Sequence, residues 1–330
     1  MKTALVGLGE IGQHHLAAIR ACADAQLVAI CDLDGDLVKT SLGEGEAGHT
    51  ELAEMLATHE LDALDICLPH SLHLEAGLAG IEAGCHVLLE KPVAVDLESC
   101  DRLISAARAA GVQIAVSHNQ LFFGPHQRLF ELVDSGALGS LRNVYARLWI
   151  ADRYRGWRED PAIVGGGLLM DAGVHRVYLL RAIGGPVAAV TATMDTPRAE
   201  ESFTVTVEFA SGATGVIQAS YYAPGGVFDD RIDVVGTEGV ASVAGCEAYF
   251  EGDLRDEPQL RVRIEGEWRE EPVSDSWEAS LQTSVGQALQ AFATGGTPEV
   301  DATAARETVA LIEAAYRSAE DGLLLAAKEG

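Results

Sequence analysis

Gly7-Leu8-Gly9-Glu10-Ile11-Gly12 is the stretch on which the reading of this chain turns. This G-x-G-x-x-G stands directly after an apolar run, Ala4-Leu5-Val6, and before a helical pattern from Leu16 to Cys22. Strand, glycine turn and helix in that order form the opening of a dinucleotide-binding unit. The glycines allow a tight turn and close approach of a pyrophosphate, which then sits on the positive end of the helix. Gly7, Gly9, Glu10, Ile11 and Gly12 are therefore expected to bind the cofactor. Asp32 closes the second apolar run, Leu27-Val28-Ala29-Ile30, twenty residues beyond Gly12. A carboxylate there can accept hydrogen bonds from an adenosine ribose. It also repels a 2′-phosphate, and Leu33 supplies no positive charge in its place, so NAD is expected in preference to NADP. His14 and His15, in the first turns of the helix, read as packing or capping residues.

Outward from this motif, apolar runs continue to alternate with helical patterns. The runs are Ala63 to Leu68, His86 to Leu89 and Val112 to Val116, and the helices Glu51 to Ala57, Leu74 to Ala83 and Leu97 to Ala110. That alternation predicts βαβ units and a doubly wound parallel sheet of Rossmann type over residues 1–120. Residues 121–330 have a different texture. A helix over about 126 to 135 and a strand from Val144 to Ile150 precede a charged loop, Ala151 to Val164. From Val187 to Val273, β-branched runs separated by glycine turns predict a largely antiparallel sheet. Helices over Trp277 to Thr294 and Ala302 to Ala319 follow, the second with Asp301 or Thr303 as N-cap. The fold class is α/β throughout.

Composition narrows the function. Of 330 residues, 23 are Lys or Arg and 50 Asp or Glu, a net charge of −27. Such a charge repels phosphate backbones and anionic lipid surfaces, so neither nucleic acid nor membrane is an expected partner. No run of 18 apolar residues and no targeting segment is evident, and a cytoplasmic location is expected. The cysteines Cys22, Cys31, Cys67, Cys85, Cys100 and Cys246 show no CxxC pair and no paired Cys/His spacing of the kind structural zinc needs. They read as buried thiols in a reducing compartment, and no metal is expected.

Two further motifs carry chemistry. Glu90-Lys91-Pro92 follows the fourth apolar run, at the carboxyl end of a parallel strand, where open α/β sheets place ligand-contacting residues. The proline holds Lys91 in an extended turn. Gly165-Gly166-Gly167 leads to Asp171-Ala172-Gly173-Val174-His175, an Asp/His pair at i and i+4 that shares a face on a helix. An imidazole beside a carboxylate is an acid/base pair titrating near neutral pH. Taken singly, the first motif describes an exposed lysine beside an acidic neighbour and the second a surface pair.

Together, in the order GxGxxG, acidic residue, EKP and GGG-x3-DxGxH, the motifs resemble the Gfo/Idh/MocA family of NAD(P)-dependent oxidoreductases over nearly the whole chain. Pro69 and His73, the stretch Leu132 to Gly139 and the closing helix around Glu307 to Ser318 extend the likeness. The resemblance implies a Rossmann domain followed by an α/β domain with a large open sheet that binds substrate and joins subunits as a homodimer or homotetramer. It implies that Lys91, Asp171 and His175 are catalytic, His175 as base, on a secondary hydroxyl of a sugar, aminosugar or cyclitol. It further implies that Pro69, His73, Glu90 and Lys91 lie against the cofactor. Trp157 and Arg158, in the charged loop, are expected to border the substrate with Lys91, Asp171 and His175. The family also includes NAD-dependent elimination enzymes and non-catalytic dinucleotide sensors. Tyr178 stands where polyol dehydrogenases of the family often carry a second Asp, and Phe122-Phe123 where many carry Arg, both departures from the inositol pattern. The net charge and the acids of the 152–160 loop admit a cationic substrate.

Overall fold

Strands buried on both faces read as continuous apolar runs, and this is what the first third of the chain forms. The computed structural model describes residues 1–151, 156–224, 227–245 and 258–322; Asp152 to Arg155 of the charged loop and Cys246 lie outside them. The first elements are β1 (Lys2–Val6), α1 (Glu10–Ala21), β2 (Gln26–Cys31), α2 (Gly35–Ser41), β3 (Ala47–His49) and α3 (Leu52–Thr58). They are followed by β4 (Ala63–Ile66), α4 (His73–Glu82), β5 (His86–Glu90), α5 (Leu97–Ala110) and β6 (Ile114–Ser117). Among the described residues these strands make a six-stranded parallel sheet in the order β3-β2-β1-β4-β5-β6. The order reverses between β1 and β4, which opens a ligand crevice at the carboxyl edge. The turns after β1, β2, β4 and β5, carrying Gly7 to Gly12, Asp32, Pro69 and Lys91, all lie on that edge.

The contacts divide the chain into two compact units. One comprises Met1–Phe123, Ala162–Gly165 and Asp275–Val309; the other comprises Gly124–Pro161, Gly166–Ser274 and the chain from Ala310 on. A single cut between 120 and 121 therefore does not describe the first unit.

The second unit begins with α6 (Gly124–Asp134) and β7 (Leu141–Ile150); along the chain the one-turn helix α7 (Pro161–Val164) follows, which from Ala162 on belongs to the first unit. Next come α8 (Leu168–Asp171), α9 (Gly173–Gly184), β8 (Val187–Met194), β9 (Ser202–Phe209), β10 (Thr214–Ser220) and β11 (Phe228–Gly236). The last strands are β12 (Gly239–Ala244), β13 (Leu260–Ile264) and β14 (Glu267–Glu270). Among the described residues they form an eight-stranded sheet, β14-β13-β12-β11-β7-β10-β9-β8, in which only the β7–β10 pair is parallel. The alternation along β7 shows that helices cover one face: Val144, Ala146, Leu148 and Ile150 are buried beneath α9, while Asn143, Tyr145, Arg147 and Trp149 point the other way.

Two helices follow, α10 (Trp277–Thr294) and α11 (Ala302–Glu320). Val285, Ala288, Leu289 and Phe292 make one stripe of α10 and close the same core as Leu5, Leu16, Ile19 and Ile30. His14 meets Trp277 edge-on at 4.8 Å and Phe292 stacks on His86 at 4.9 Å. That apolar stripe is why residues 275–309 belong to the first unit and not to a domain beginning at 121. Of the two candidate caps for α11, Asp301 does the capping: its Oδ1 accepts from Ala304 N at 2.8 Å.

Candidate active site

Each glycine of the motif has a separate steric reason. Gly7 has φ +92°, and a Cβ there would lie 2.2 Å from the Cys67 carbonyl. A Cβ on Gly12 would lie 2.0 Å from Gly7 O, so the helix closes on the turn only with glycine. Around Gly9 the Cβ direction is open for 4 Å, the free approach a pyrophosphate requires. α1 starts without a side-chain cap, and its first intrahelical bond is Gln13 N to Gly9 O. The amides of Glu10, Ile11 and Gly12 thus precede the intrahelical ladder and face the crevice as anion donors. Asp32 Oδ2 accepts from Leu8 N at 2.7 Å and Oδ1 from Asp34 N at 2.9 Å. The carboxylate is thereby aimed across the glycine turn, with lone pairs left for ribose hydroxyls. Leu33 beside it is 84% exposed and carries no charge. These residues fit NAD.

Lys91 stands at the end of β5, half-buried, and the Lys91–Pro92 peptide is cis. The turn is held from below. Glu90 is buried, and its Oε2 accepts from Lys91 N at 3.2 Å. His73 lies fully buried between Pro92 O at 2.8 Å and Leu68 O at 2.9 Å, with burial lowering its pKa. The neutral ring donates to one of these carbonyls. The side chain of His73 therefore ties the turn after β4, which holds Pro69, to the Lys91 turn, and both its ring nitrogens face the protein and not a cofactor.

The glycine-rich segment of the second unit is also pinned. A Cβ on Gly167 would lie 2.4 Å from Glu200 N and O. Glu200 is buried; its Oε1 accepts from Leu169 N at 2.7 Å and from Tyr316 OH at 3.0 Å, and its backbone carbonyl from Leu168 N at 2.8 Å. These bonds hold the start of α8, whose last residue is Asp171. The expectation that Asp171 and His175 share one continuous helix is corrected: α8 stops at Asp171, Ala172 is a turn, and α9 begins at Gly173. A Cβ on Gly173 would meet Phe203 of β9 at 3.1 Å, so the sheet packs tightly against the break. Asp171 is buried and half-buried His175 follows in the first turn of α9. The next residue, Arg176, is clamped by Asp230 of β11, with Nε to Oδ1 at 3.0 Å and both side chains buried, which fixes the rotation of α9 on the sheet. Arg158 stacks on Trp157 at 4.4 Å and its Nε donates to Asp171 Oδ1 at 3.4 Å. The carboxylate expected to receive a cationic substrate already has a cationic neighbour.

Sequence reading gave His15 only a packing or capping role and missed Asp65 and Glu200. The signal for Asp65 was present: a carboxylate inside a four-residue strand that is buried at every position needs a partner. Its partner is His15, and Cys67 Sγ lies 3.9 Å from Asp65 Oδ1. Polar atoms of His15, Asp65 and Cys67 lie within 4.8 Å of one another, and burial pushes the Cys67 thiol up to about 12. Among the described residues, Cys22, Cys31, Cys67, Cys85 and Cys100 are free, and no single helix is long and apolar enough to cross a membrane.

Fold and crevice together define a Rossmann-type oxidoreductase that binds NAD. The chain belongs to the Gfo/Idh/MocA family: residues 1–118 match the family described as oxidoreductase family, NAD-binding Rossmann fold, and residues 126–242 match the Gfo/Idh/MocA C-terminal domain. It is 31% identical over 258 residues to myo-inositol 2-dehydrogenase of Thermotoga maritima, covering 72% of this chain and 74% of that one. Identity is 28% over 232 residues to 1-carboxy-3-chloro-3,4-dihydroxycyclohexa-1,5-diene dehydrogenase of Comamonas testosteroni, covering 68% of this chain and 58% of that protein's length. Among solved structures, GenD2 from gentamicin A biosynthesis, in complex with NAD, superposes with a TM-score of 0.82 at 28% identity over 98% of this chain and 95% of its own.

Proposed function

We propose that this chain oxidises a secondary hydroxyl of a sugar, aminosugar or cyclitol with NAD, and that Lys91, Asp171 and His175 act on the same hydroxyl oxygen. The observation that carries this reading is the glycine crevice itself, open at Gly9 and faced by Asp32, with Lys91 held at the same carboxyl edge of the sheet. NAD, when bound, accepts the hydride from the carbinol carbon. His175 takes the hydroxyl proton, since of the three side-chain types imidazole is the one suited to general-base work near neutral pH. The Lys91 ammonium stabilises the negative charge that develops on that oxygen. Asp171 orients the substrate, and Trp157 and Arg158 border it. Arg158 beside Asp171 favours recognition of hydroxyls over recognition of an ammonium group, so an aminosugar enters the class through its hydroxyls.

The test is NADH formation, followed by its absorbance, over a panel of sugars, cyclitols and aminosugars. His175→Ala should lower kcat by about 100-fold or more while leaving NAD affinity nearly unchanged. Lys91→Ala should cost about 2.7 to 4 kcal/mol in the transition state, and the two losses should not add in the double variant. Retention of more than half of kcat by His175→Ala at every pH would remove the histidine from the chemistry.

We also propose that the chain assembles as a homodimer or homotetramer through the face of the eight-stranded sheet that points away from α9, where Trp149 is 37% exposed beneath the Arg147 guanidinium at 4.4 Å. The free thiols fit a reducing cytoplasm.

A further inference from the structure

His15 has no part in the chemistry above, yet it is among the most constrained side chains in the first unit. It lies three residues beyond Gly12 on α1 and is 0% exposed. Its Nδ1 is 2.8 Å from Asp65 Oδ2 and its Nε2 is 3.1 Å from Glu90 Oε1. Two carboxylate oxygens call for two donors, and a neutral imidazole has only one N–H. Both contacts are satisfied together when the ring is an imidazolium between two ionised carboxylates. Burial alone would lower the His15 pKa, but the charge and hydrogen bond of Asp65, with Cys67 adding to them, raise it well above the ordinary value. Glu90 responds in the opposite sense. Burial pushes its carboxyl up, and the hydrogen bond and charge of His15, with Lys91, outweigh it and bring the pKa below the usual range.

The location explains why such a buried triad exists. Asp65 sits mid-sheet on β4, paired in register with Leu5 of β1 and Leu88 of β5, and is 0% exposed. A bare carboxylate at that place would be heavily penalised. Glu90 is the last residue of β5, and its other oxygen receives the Lys91 amide. One ring therefore touches the strand at the switch point and the residue that holds the Lys91 backbone, from the helix that opens the dinucleotide crevice.

We propose that His15 is a positioning residue: as a buried cation clasped by Asp65 and Glu90, it locks the helix of the glycine turn to the Lys91 turn and so fixes where the Lys91 ammonium stands over the bound dinucleotide. The proposal rests on the reading that Lys91 acts on the substrate oxygen. The charged and titratable groups facing the ring are Asp65 and Cys67 from β4 and the turn after it and Glu90 from β5, with His73 and Lys91 facing Glu90.

Two measurements need no turnover. In protein labelled with 15N at histidine, one ring should show both nitrogens protonated at pH 8, and this signal should vanish in His15→Gln; a neutral tautomer for His15 at pH 8 overturns the clasp. The chain has only four lysines, Lys2, Lys39, Lys91 and Lys328, so reductive 13C-methylation gives a spectrum that can be assigned with Lys91→Arg. His15→Gln, which offers one uncharged donor group in place of two charged ones, should shift the Lys91 resonance and leave those of Lys2 and Lys39 in place. An unmoved Lys91 signal overturns the proposal. In the enzyme assay, His15→Gln should lower kcat about tenfold or more, as displaced catalytic groups do, but should change the residual rate of Lys91→Ala by less than twofold. An equal factor in both backgrounds marks a general structural loss and overturns the proposal. Should His15→Gln fold poorly, His15→Gln/Asp65→Asn removes the carboxylate left uncompensated. It should recover Tm while kcat stays low, and recovery of both would count against a positioning role. Absence of NAD-linked turnover in the wild type, with the two spectra as expected, would refute the sugar-oxidation reading and leave the clasp standing.

Discussion

Asp32 joins two tasks that are usually described apart. Its carboxylate, which we propose binds the adenosine ribose, also accepts from Leu8 N at 2.7 Å, inside the glycine turn. Asp32→Ala should therefore weaken NAD binding by about 10- to 100-fold, the scale of a hydrogen bond to a charged group, while NADP, relieved of repulsion, loses less. Fluorescence titration of both cofactors measures the two constants; a wild-type protein that binds NADP tenfold tighter than NAD contradicts this assignment. Residues of this kind were legible in the sequence because their chemistry is local: Gly7 to Gly12, Glu90 to Pro92 and Asp171 to His175 each announce themselves within a few positions. His15 was not, because its partners stand 50 and 75 residues away and only the parallel sheet brings them together. The cationic-substrate reading shares that weakness, since the charge that answers Asp171 belongs to a residue thirteen positions earlier.

Elements with strong periodicity were legible almost to the residue: α5 and α10 occupy the expected Leu97–Ala110 and Trp277–Thr294. β3 and α2 went unread, the first because it is a three-residue edge strand containing Gly48, the second because Asp34 caps a helix of only seven residues, accepting from Asp36 and Leu37. The break between α8 and α9 also escaped a pattern that continues unbroken through Ala172. The start of α8 depends on Glu200, and burial pushes this carboxyl from its ordinary 4.5 up to about 7. Between those values the folded chain holds a proton that the unfolded chain has released, so the contribution of Glu200 to stability is fully present below about pH 4.5 and declines as pH rises toward 7. The loss is about 3 kcal/mol. Glu200→Gln keeps the acceptor for Leu169 N without the charge. Urea unfolding at pH 5 and pH 8 should show the variant gaining on the wild type by that order at the higher pH, and a constant difference between them would place the titration elsewhere.

At the scale of the whole molecule, the charge of −27 and the face of the eight-stranded sheet that points away from α9 pull in opposite directions, the first toward dispersion and the second, as proposed above, toward association. The face carries a mixed set in β7, Asn143, Tyr145, Arg147 and Trp149, with Arg147 also paired to Asp229, so self-association there can bury aromatic surface without stranding a charge. Light scattering should give the wild type a mass that is a multiple of 34.8 kDa. Trp149→Glu should shift it to a single chain. A wild type that is monomeric at assay concentration would dismiss the assembly.

The stripe of α10 has a consequence for how the protein is made. The first unit draws its core from both sides of the intervening sheet domain: Leu16, Ile19 and Ile30 wait for Val285, Leu289 and Phe292. Domains commonly fold as they emerge from the ribosome, in order of synthesis. Here the dinucleotide-binding half begins to be translated first yet waits for residues 275–309 to complete its core, and until they have emerged the nascent chain carries an open apolar groove along α1. The second unit draws the later turns of α11, from Ala310 on, so neither unit is complete while the chain is short. The sequence order that makes the glycine motif so easy to read thus leaves the surface behind it dependent on a segment made only after the whole intervening sheet.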